Sequence, residues 1–368
     1  WDWLYRALVL LVIACPCALV ISTPVSIVAA LTAAARNGVL VKGGAFIEIP
    51  AKLKAVAIDK TGTLTEGKPA VVEVVPLNGH DEEELLARAA GLEARSEHPL
   101  AQAIIDYVAG KTISVSPAED LKAVPGKGAT GRWQGRAFWA GSPRYLSERG
   151  QQTDDVSRRI EGMARAGRTV VVVGNEEHVC GLIALADAVR PSTKDAIRTL
   201  KDLGVDRVVM LTGDNEATAR AIGGEAGVDD VRAGLLPEDK VKAVEALVAE
   251  FGTVAMVGDG VNDAPALARA SLGVAMGAGT DAAIETADVA LMSDDLGKLP
   301  WLVRHSRNTM RVIAQNITFS LAVKLLFVGL TFAGWSSLWG AIAADTGASL
   351  LVIFNGMRLL GSTPSCQK

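Results

Sequence analysis

Charge is missing from long parts of this 368-residue sequence. Residues 7–35 contain no charged side chain, and residues 312–357 contain two, Lys324 and Asp345. There is no basic cluster either, which with a net charge of −4 excludes nucleic acid as a partner. The four cysteines do not form a disulfide framework. The mean hydropathy of +0.28 therefore reflects apolar residues that are concentrated in a few segments.

Three apolar segments are long enough to cross the ~30 Å hydrocarbon core of a bilayer. The first lies between two arginines and covers 7–35, and the others lie near 310–332 and 337–357. Pro16 and Pro24 are expected to break or kink the first helix. Carbonyls freed by a break are tolerated in a membrane where they line a site. Arginines flank the later pair of spans, so the positive-inside rule places both ends of this pair in the cytoplasm. The long region between the first span and this pair is therefore also cytoplasmic.

Residues 38–300 alternate strand and helix patterns, which is typical of an α/β fold with a parallel sheet. Three short apolar strands are each followed by an acidic loop. These are 55–58 before Asp59, 208–211 before Asp214, and 254–257 before Asp259. The stretch 68–185 has two helical segments followed by Gly-rich, strand-like pieces. It is predicted to be a separate domain inserted into the first.

The loop after the first of these strands predicts phosphoryl chemistry. Asp59 stands at the tip of a buried strand, where its carboxylate can attack a phosphoryl group. Asp259 and Asp263 are expected at adjacent strand ends, and three carboxylates there would repel unless Mg²⁺ neutralised them. Thr212 and Lys240 would supply a hydroxyl and a cation to the transferring phosphoryl oxygens.

Three motifs resemble the signature set of the P-type ATPases: Asp-Lys-Thr-Gly-Thr-Leu-Thr at 59–65, Thr-Gly-Asp-Asn at 212–215 and Gly-Asp-Gly-Val-Asn-Asp-Ala-Pro at 258–265. The resemblance implies a haloacid dehalogenase-like phosphorylation domain, in which ATP phosphorylates Asp59 and the aspartyl phosphate is hydrolysed. The catalytic residues it implies are Asp59, Lys60, Thr61, Thr63, Thr212, Gly213, Asp214, Lys240, Asp259, Asn262 and Asp263. The Mg²⁺ ligands it implies are Asp59, Thr61 and Asp259.

Thr61 occupies a position at which phosphatases on the same core tend to carry a second acid. Without that carboxylate the phosphoenzyme should be long-lived, which suits a pump better than a hydrolase. A membrane-tethered phosphatase stays open as an alternative. So does a metal-binding membrane sensor with a degenerate catalytic domain.

Two motifs in the inserted segment resemble the nucleotide site of the heavy-metal branch of this family, Ser-Glu-His-Pro at 96–99 and Gly-Lys-Gly at 126–128. Imidazole can stack on or hydrogen-bond to adenine, and glycine lets the backbone approach a ligand closely. Ser142 stands where the family commonly has an asparagine contact. Cys180 is expected to be a core residue. The nucleotide-binding residues implied are Glu93, His98, Pro99, Gly126 and Gly128.

Cys15-Pro16-Cys17 resembles the Cys-Pro-Cys signature of the heavy-metal, or P1B, branch. Two thiolates at a helix break favour soft or borderline ions, among them Cu⁺, Zn²⁺, Cd²⁺ and Pb²⁺. Oxygen ligands would be expected for K⁺, Ca²⁺ or Mg²⁺. The metal ligands implied in the membrane are Cys15, Cys17 and Asp345.

The later spans resemble the zinc, cadmium and lead subgroup, through the spacing of Asn316, Lys324 and the Asp-Thr-Gly at 345–347. Two thiolates and a carboxylate carry three negative charges, which a divalent ion balances better than Cu⁺. Lys324 is predicted to be the counter-ion of Asp345 when the site is empty. A Cu⁺ pump of the same branch stays open as the runner-up.

The resemblance covers essentially the whole chain. It implies the C-terminal portion of a pump of the plasma (inner) membrane with cytoplasmic catalytic domains. The expected partners are membrane lipid, ATP, a metal ion or metal donor, and the actuator domain and N-terminal helices of a parent chain. The predicted domains are a transmembrane helix with a cytosolic extension (1–48), a phosphorylation domain in two parts (49–67 and 186–300), a nucleotide-binding domain (68–185), two transmembrane helices (301–362) and a tail (363–368).

Overall fold

The structure is a computed structural model that describes residues 2–96, 98–111, 113–124, 127–214, 216–259, 263–277, 285–335 and 337–361. The helices are α1 (Asp2–Ala14), α2 (Cys17–Arg36), α3 (Gly44–Glu48), α4 (Glu82–Glu93), α5 (Pro99–Gly110), α6 (Pro143–Glu148), α7 (Asp154–Arg165), α8 (Thr193–Asp202), α9 (Glu216–Ala226), α10 (Pro237–Phe251), α11 (Ala264–Leu267), α12 (Lys298–Phe332) and α13 (Leu338–Met357). The strands are β1 (Val39–Val41), β2 (Ala55–Asp59), β3 (Thr65–Pro76), β4 (Glu119–Val124), β5 (Gly128–Trp133), β6 (Arg136–Gly141), β7 (Thr169–Asn175), β8 (Val179–Val189), β9 (Arg207–Leu211), β10 (Asp230–Arg232), β11 (Val254–Gly258), β12 (Leu272–Met276) and β13 (Val289–Leu291).

The chain divides into two compact units. Unit 1 consists of Trp1–Ile58, Asp195–Val208 and Pro237–Lys368, and unit 2 consists of Asp59–Lys194 and Val209–Leu236. Unit 1 contains three helical stretches that are long and apolar enough to cross a membrane, Trp3–Arg36, Lys298–Phe332 and Leu338–Gly361. The three predicted spans are therefore confirmed as helices that are candidates to cross a membrane.

The first span is broken where the sequence places Pro16. Helix α1 ends at Ala14 and α2 begins at Cys17, and Pro16 has a non-helical backbone with φ −84° and ψ 38°. Pro24, where the sequence also predicts a break or kink, lies inside α2 without ending it. The break therefore lies at Cys15 and Pro16, directly before Cys17.

The α/β part of unit 1 is a sheet with the strand order β1-β13-β12-β11-β2. Strands β2, β11, β12 and β13 pair in parallel, and β1 pairs with β13 in the antiparallel direction. Every residue of β2, β11 and β12 is buried. This confirms the parallel sheet that the continuous apolar strands predict, since strands covered on both faces cannot alternate with polar residues.

Unit 2 contains a six-stranded antiparallel sheet with the order β3-β8-β7-β6-β5-β4. Alternate residues of β7 contribute to two cores, as expected for strands whose side chains point to opposite faces. Val171 and Val173 pack with α4 and α5, whereas Val170 and Val172 pack with α6 and α7. Strands β9 and β10 pair in parallel, with Val209 opposite Asp230.

Candidate active site and membrane metal site

The first catalytic segment is the turn that follows β2. Asp59 is the last residue of this buried strand, and only 5% of its surface is exposed. Residues 60–64 then form a tight turn in which Gly62 has a φ of 70°, a conformation that favours glycine. Two residues that sequence reasoning missed fix the turn: Arg190 donates to the Gly62 carbonyl and Thr193 donates to the Leu64 carbonyl, each at 3.0 Å.

The same turn presents a cation and a hydroxyl. Lys60 is largely buried, and its Nζ lies 2.7 Å from Oδ2 of Asp214. Thr63 is fully buried, and its hydroxyl has no hydrogen-bond partner among the described residues. Thr61, by contrast, is exposed. The Thr63 hydroxyl is therefore available to form a hydrogen bond with an oxygen of an incoming ligand.

The segment 212–214 adopts a conformation closed by its own hydrogen bond. The backbone N–H of Asp214 donates to Oγ1 of Thr212 at 3.1 Å, and Thr212 is buried. Gly213 is exposed. The structure thus brings Asp214 to Lys60 and leaves Thr212 inside the loop.

In unit 1, Lys240 and Asp263 form a buried ion pair with Nζ and Oδ1 2.8 Å apart. Gly258 allows this arrangement, since a Cβ atom there would lie 2.8 Å from Oδ2 of Asp263. Asp259 follows Gly258 at the carboxyl end of β11. Asn262 lies outside the described residues.

The parallel pairing of β11 with β2 shows at which end of the sheet the proposed nucleophile lies. Val257 pairs with Ile58 in parallel strands. Both strands therefore end at the same side of the sheet, and the next acidic residues along them are Asp59 and Asp259. In open α/β sheets, functional residues lie at this carboxyl end.

Unit 2 also contains a large cavity of about 980 Å³, a size that can hold a nucleotide. Its lining includes Glu93, His98, Lys127, Gly128, Ser142 and Asp214. Three of the predicted nucleotide-binding residues are therefore brought together, and Asp214 joins them. Pro99 begins α5, and Gly126 lies outside the described residues.

His98 caps a helix and also lines the cavity. It caps α5, with Nδ1 accepting a hydrogen bond from the Leu100 N–H at 3.2 Å. In the neutral ring this leaves Nε2 as a donor toward the cavity. At Glu93, burial raises the carboxyl pKa above its ordinary value, and a hydrogen bond with Ser96 opposes the shift.

Gly128 is required by strand pairing. It lies opposite Gly141, and a Cβ atom at Gly128 would lie 2.0 Å from the Ala140 carbonyl oxygen.

We expect Gly128→Ala to lower the free energy of unfolding by about 3 kcal/mol, since a backbone atom cannot move aside. Thermal unfolding followed by near-ultraviolet circular dichroism measures this. Gly110→Ala, in open space at the end of α5, is the control and should cause no loss; equal stability of the two variants would contradict the prediction.

Lys324 contacts both the break in the first span and Asp345. The sulfur atoms of Cys15 and Cys17 lie 2.7 Å apart. Lys324 of α12 donates to the freed carbonyls of Ile13, at 3.0 Å, and of Cys15. Its Nζ also lies 3.8 Å from Oδ1 of Asp345 on α13. Cys15, Cys17 and Asp345 do not form a group whose ligating atoms all lie within 4.8 Å of one another.

Asn316 ties the later spans together. Its Nδ2 donates to the Val352 carbonyl at 3.2 Å, and its Oδ1 accepts from Asn355 at 2.8 Å. Asn316 is buried, so these bonds satisfy an amide that would otherwise be costly inside a membrane. The contacts give this residue a positioning role between α12 and α13.

Comparisons with known proteins agree with this geometry. The family model for haloacid dehalogenase-like hydrolases matches residues 53–271. A crystal structure described as a zinc-transporting PIB-type ATPase in an E2·Pi state is 46% identical, with a TM-score of 0.86, over 98% of this chain and 58% of that chain. This chain belongs to the P1B-type branch of the P-type ATPases, on a haloacid dehalogenase-like core.

Named relatives of this P1B-type ATPase chain point the same way. A probable cadmium-transporting ATPase of Alkalihalophilus pseudofirmus is 49% identical over 98% of this chain and 51% of its own length. The zinc/cadmium/lead-transporting P-type ATPase of Escherichia coli is 46% identical over 98% of this chain and 48% of its own length. The chain spans about half the length of the curated relatives it matches.

Proposed function

We propose that this chain carries the phosphorylation, nucleotide and translocation sites of an ATP-driven pump that exports divalent soft metal ions, Zn²⁺, Cd²⁺ and Pb²⁺. The observation that carries the proposal is the contact of Lys324 with both the Cys-Pro-Cys break and Asp345. A charge pair inside a span is expensive to insert, and such pairs commonly mark the pathway of an ion.

In the proposed reaction, an oxygen of Asp59 forms a bond to the γ-phosphorus of ATP. The bond from that phosphorus to the bridging oxygen breaks, and ADP leaves. Water later hydrolyses the aspartyl phosphate and releases inorganic phosphate. Lys240 balances charge on the phosphoryl oxygens and is itself oriented by Asp263.

The carboxylates of Asp59 and Asp259 fit Mg²⁺, a hard cation that prefers oxygen ligands. When bound, Mg²⁺ neutralises negative charge on the phosphoryl group. The buried hydroxyl of Thr63, which has no hydrogen-bond partner among the described residues, supports a phosphoryl oxygen binding in the turn. We place Lys60 as the residue that holds Asp214 beside the turn, through their ion pair.

The 980 Å³ cavity is proposed as the ATP site, within a nucleotide-binding domain at 68–185. Nε2 of His98 is free to donate to the adenine ring. Lys127 supplies a cation for the phosphates, and Asp214 links the cavity to Lys60 next to Asp59. Ser142 caps α6 through its hydroxyl, which supports a structural role there in place of the family's asparagine contact.

For the transported ion we propose Cys15, Cys17 and Asp345 as ligands. Two thiolates and one carboxylate suit a borderline-soft divalent ion. When the site is empty, Lys324 then serves as the counter-ion of Asp345 and as the hydrogen-bond donor to the freed carbonyls. The catalytic domains face the cytoplasm, and an actuator domain with further helices from the parent chain completes the cycle.

Phosphorylation from γ-labelled ATP tests the proposed function in the full-length protein in detergent. Zn²⁺, Cd²⁺, Pb²⁺, Cu⁺ and no metal are compared. We expect an acid-stable, hydroxylamine-labile label with the three divalent ions and none with Cu⁺. Label with Cu⁺ alone would keep the aspartyl-phosphate mechanism and overturn the ion class, whereas no label with any ion would overturn the pump.

A further inference from the structure

A cluster of nitrogen and sulfur ligands lies in unit 2, outside the residues used above. His80 follows β3, His178 precedes β8, and Cys180 is the second residue of β8. Their ligating atoms all lie within 4.8 Å of one another. Cys180 is buried in the core as the sequence predicted, but its thiol lies beside two imidazoles.

We propose that His80, His178 and Cys180 form a second binding site for a borderline-soft divalent cation such as Zn²⁺ or Cd²⁺. Two imidazoles and one thiolate are a donor set that suits these ions, with water completing a tetrahedron. The site is separate from the membrane cysteines, and it does not depend on the transport proposed above.

The distances fit such an ion. Zn–N bonds of ~2.0–2.1 Å and a Zn–S bond of ~2.3 Å at tetrahedral angles put neighbouring ligand atoms about 3.3–3.6 Å apart. The two Nε2 atoms of His80 and His178 are 3.0 Å apart, and their rings are stacked with centroids 5.3 Å apart. Moving these two nitrogens apart by a few tenths of an ångström gives them the spacing of zinc ligands, and the Cys180 sulfur lies within 4.8 Å of both histidines' ligating atoms.

The backbone around the cluster is already fixed. The N–H of Leu77 donates to the Cys180 carbonyl at 2.9 Å, and Nδ2 of Asn78 donates to the Val179 carbonyl at 2.8 Å. The N–H of His178 donates to Oδ1 of Asn175 at 2.8 Å. The two histidine-bearing loops are thus held beside each other by several bonds, which lowers the entropy cost of binding.

Helix α4 supplies the groups behind the histidines. Arg88 donates to Nδ1 of His80 at 3.1 Å, which leaves the proton of the neutral ring on Nε2, shared with His178. Oε2 of Glu84 lies 3.3 Å from the same Nδ1. When Nε2 binds metal, its proton moves to Nδ1 and is donated to Glu84, while Arg88 gives up its bond to Nδ1 and keeps its ion pair with Glu84.

The charges also balance. Arg88 is paired with Glu84 and lies 4.5 Å from the centre of the Phe138 ring, so its charge is compensated locally. Burial raises the pKa of the Cys180 thiol, so the thiol is protonated at neutral pH. Metal binding converts it to a thiolate and releases that one proton to solvent.

Cobalt(II) binding to this 368-residue chain in detergent tests the proposal. In a background with Cys15, Cys17 and Cys366 changed to serine, Cys180 is the one remaining cysteine of the sequence. A thiolate-to-cobalt charge-transfer band then reports Cys180 alone, because the carboxylates near Asp59 have no sulfur. We expect this band to saturate at one Co²⁺ per chain and Zn²⁺ to remove it.

Variants of the ligands and of Glu84 sharpen the test. His178→Ala should weaken Co²⁺ binding by more than about 100-fold, and Glu84→Gln by about 10-fold, as for other groups behind a metal ligand. Glu82→Gln changes an exposed carboxylate of the same helix α4, which pairs with Lys111, and should leave the affinity unchanged. His178 is partly exposed, so its replacement should preserve the fold, which near-ultraviolet circular dichroism checks. No band in the background, or a band that His178→Ala leaves unaltered, overturns the proposal while leaving the transport function untouched.

Discussion

Asp59→Asn is expected to abolish the phosphoenzyme completely. The amide is a poor nucleophile and loses the negative charge that attacks phosphorus, while its size preserves the end of buried strand β2. The measurement is acid-stable label from γ-labelled ATP in the presence of Zn²⁺ or Cd²⁺, using the full-length protein. Because no other described residue takes its place at the end of β2, the loss should be total and not merely a slower rate.

Asp155→Asn provides the matched control for this change. Asp155 is an exposed carboxylate on α7 that pairs with Arg158 and Arg159. Removing its charge changes a surface residue by the same chemical step and should leave the label at the wild-type level. Acid-stable label retained by Asp59→Asn would show that another residue is phosphorylated.

Asp345→Ala should abolish the increase in phosphorylation from ATP that Zn²⁺ or Cd²⁺ causes. The substitution deletes the proposed carboxylate ligand and leaves Lys324 without its 3.8 Å partner in the membrane. An unpaired cation then opposes entry of a divalent ion. Label formed from inorganic phosphate should persist, because that reaction needs the phosphorylation site and not the membrane site.

Leu351→Ala is the comparison for that experiment, since Leu351 is an exposed apolar residue on the same helix, α13. It should retain Zn²⁺-dependent label. The two reactions separate the sites: loss of both kinds of label in Asp345→Ala would mean a damaged protein, and full Zn²⁺ dependence would mean that Asp345 is not a ligand.

The catalytic motifs could be predicted from the sequence because each lies within a few consecutive residues. A strand of buried apolar residues followed by an acidic loop is a local pattern, and parallel strands bring such loops to one end of a sheet. The cap formed by His98 at the start of α5 is equally local. Assigning adenine contact to His98 needed the family resemblance, since the cap alone explains a histidine before a proline.

Other features could not be predicted because they join distant parts of the chain. His80 and His178 are 98 residues apart, and Lys324 contacts a carbonyl 309 residues away at the break. Arg190 supports the Gly62 turn across 128 residues. No periodicity or motif marks these partners, because long-range packing selects them.

The sequence by itself determined that this chain has three membrane spans, a parallel α/β sheet with acidic loops, and a Cys-Pro-Cys segment in the first span. Apolar run length and strand composition are enough for that, because burial acts on each segment separately. Only the tertiary structure decided that Pro16 and not Pro24 breaks the span. It also decided that Lys324 meets the freed carbonyls and that Cys180 lies beside two histidines. Those outcomes depend on which residues can donate to a carbonyl that has lost its helical partner, and on which side chains lie next to each other. Only the folded chain brings those residues together.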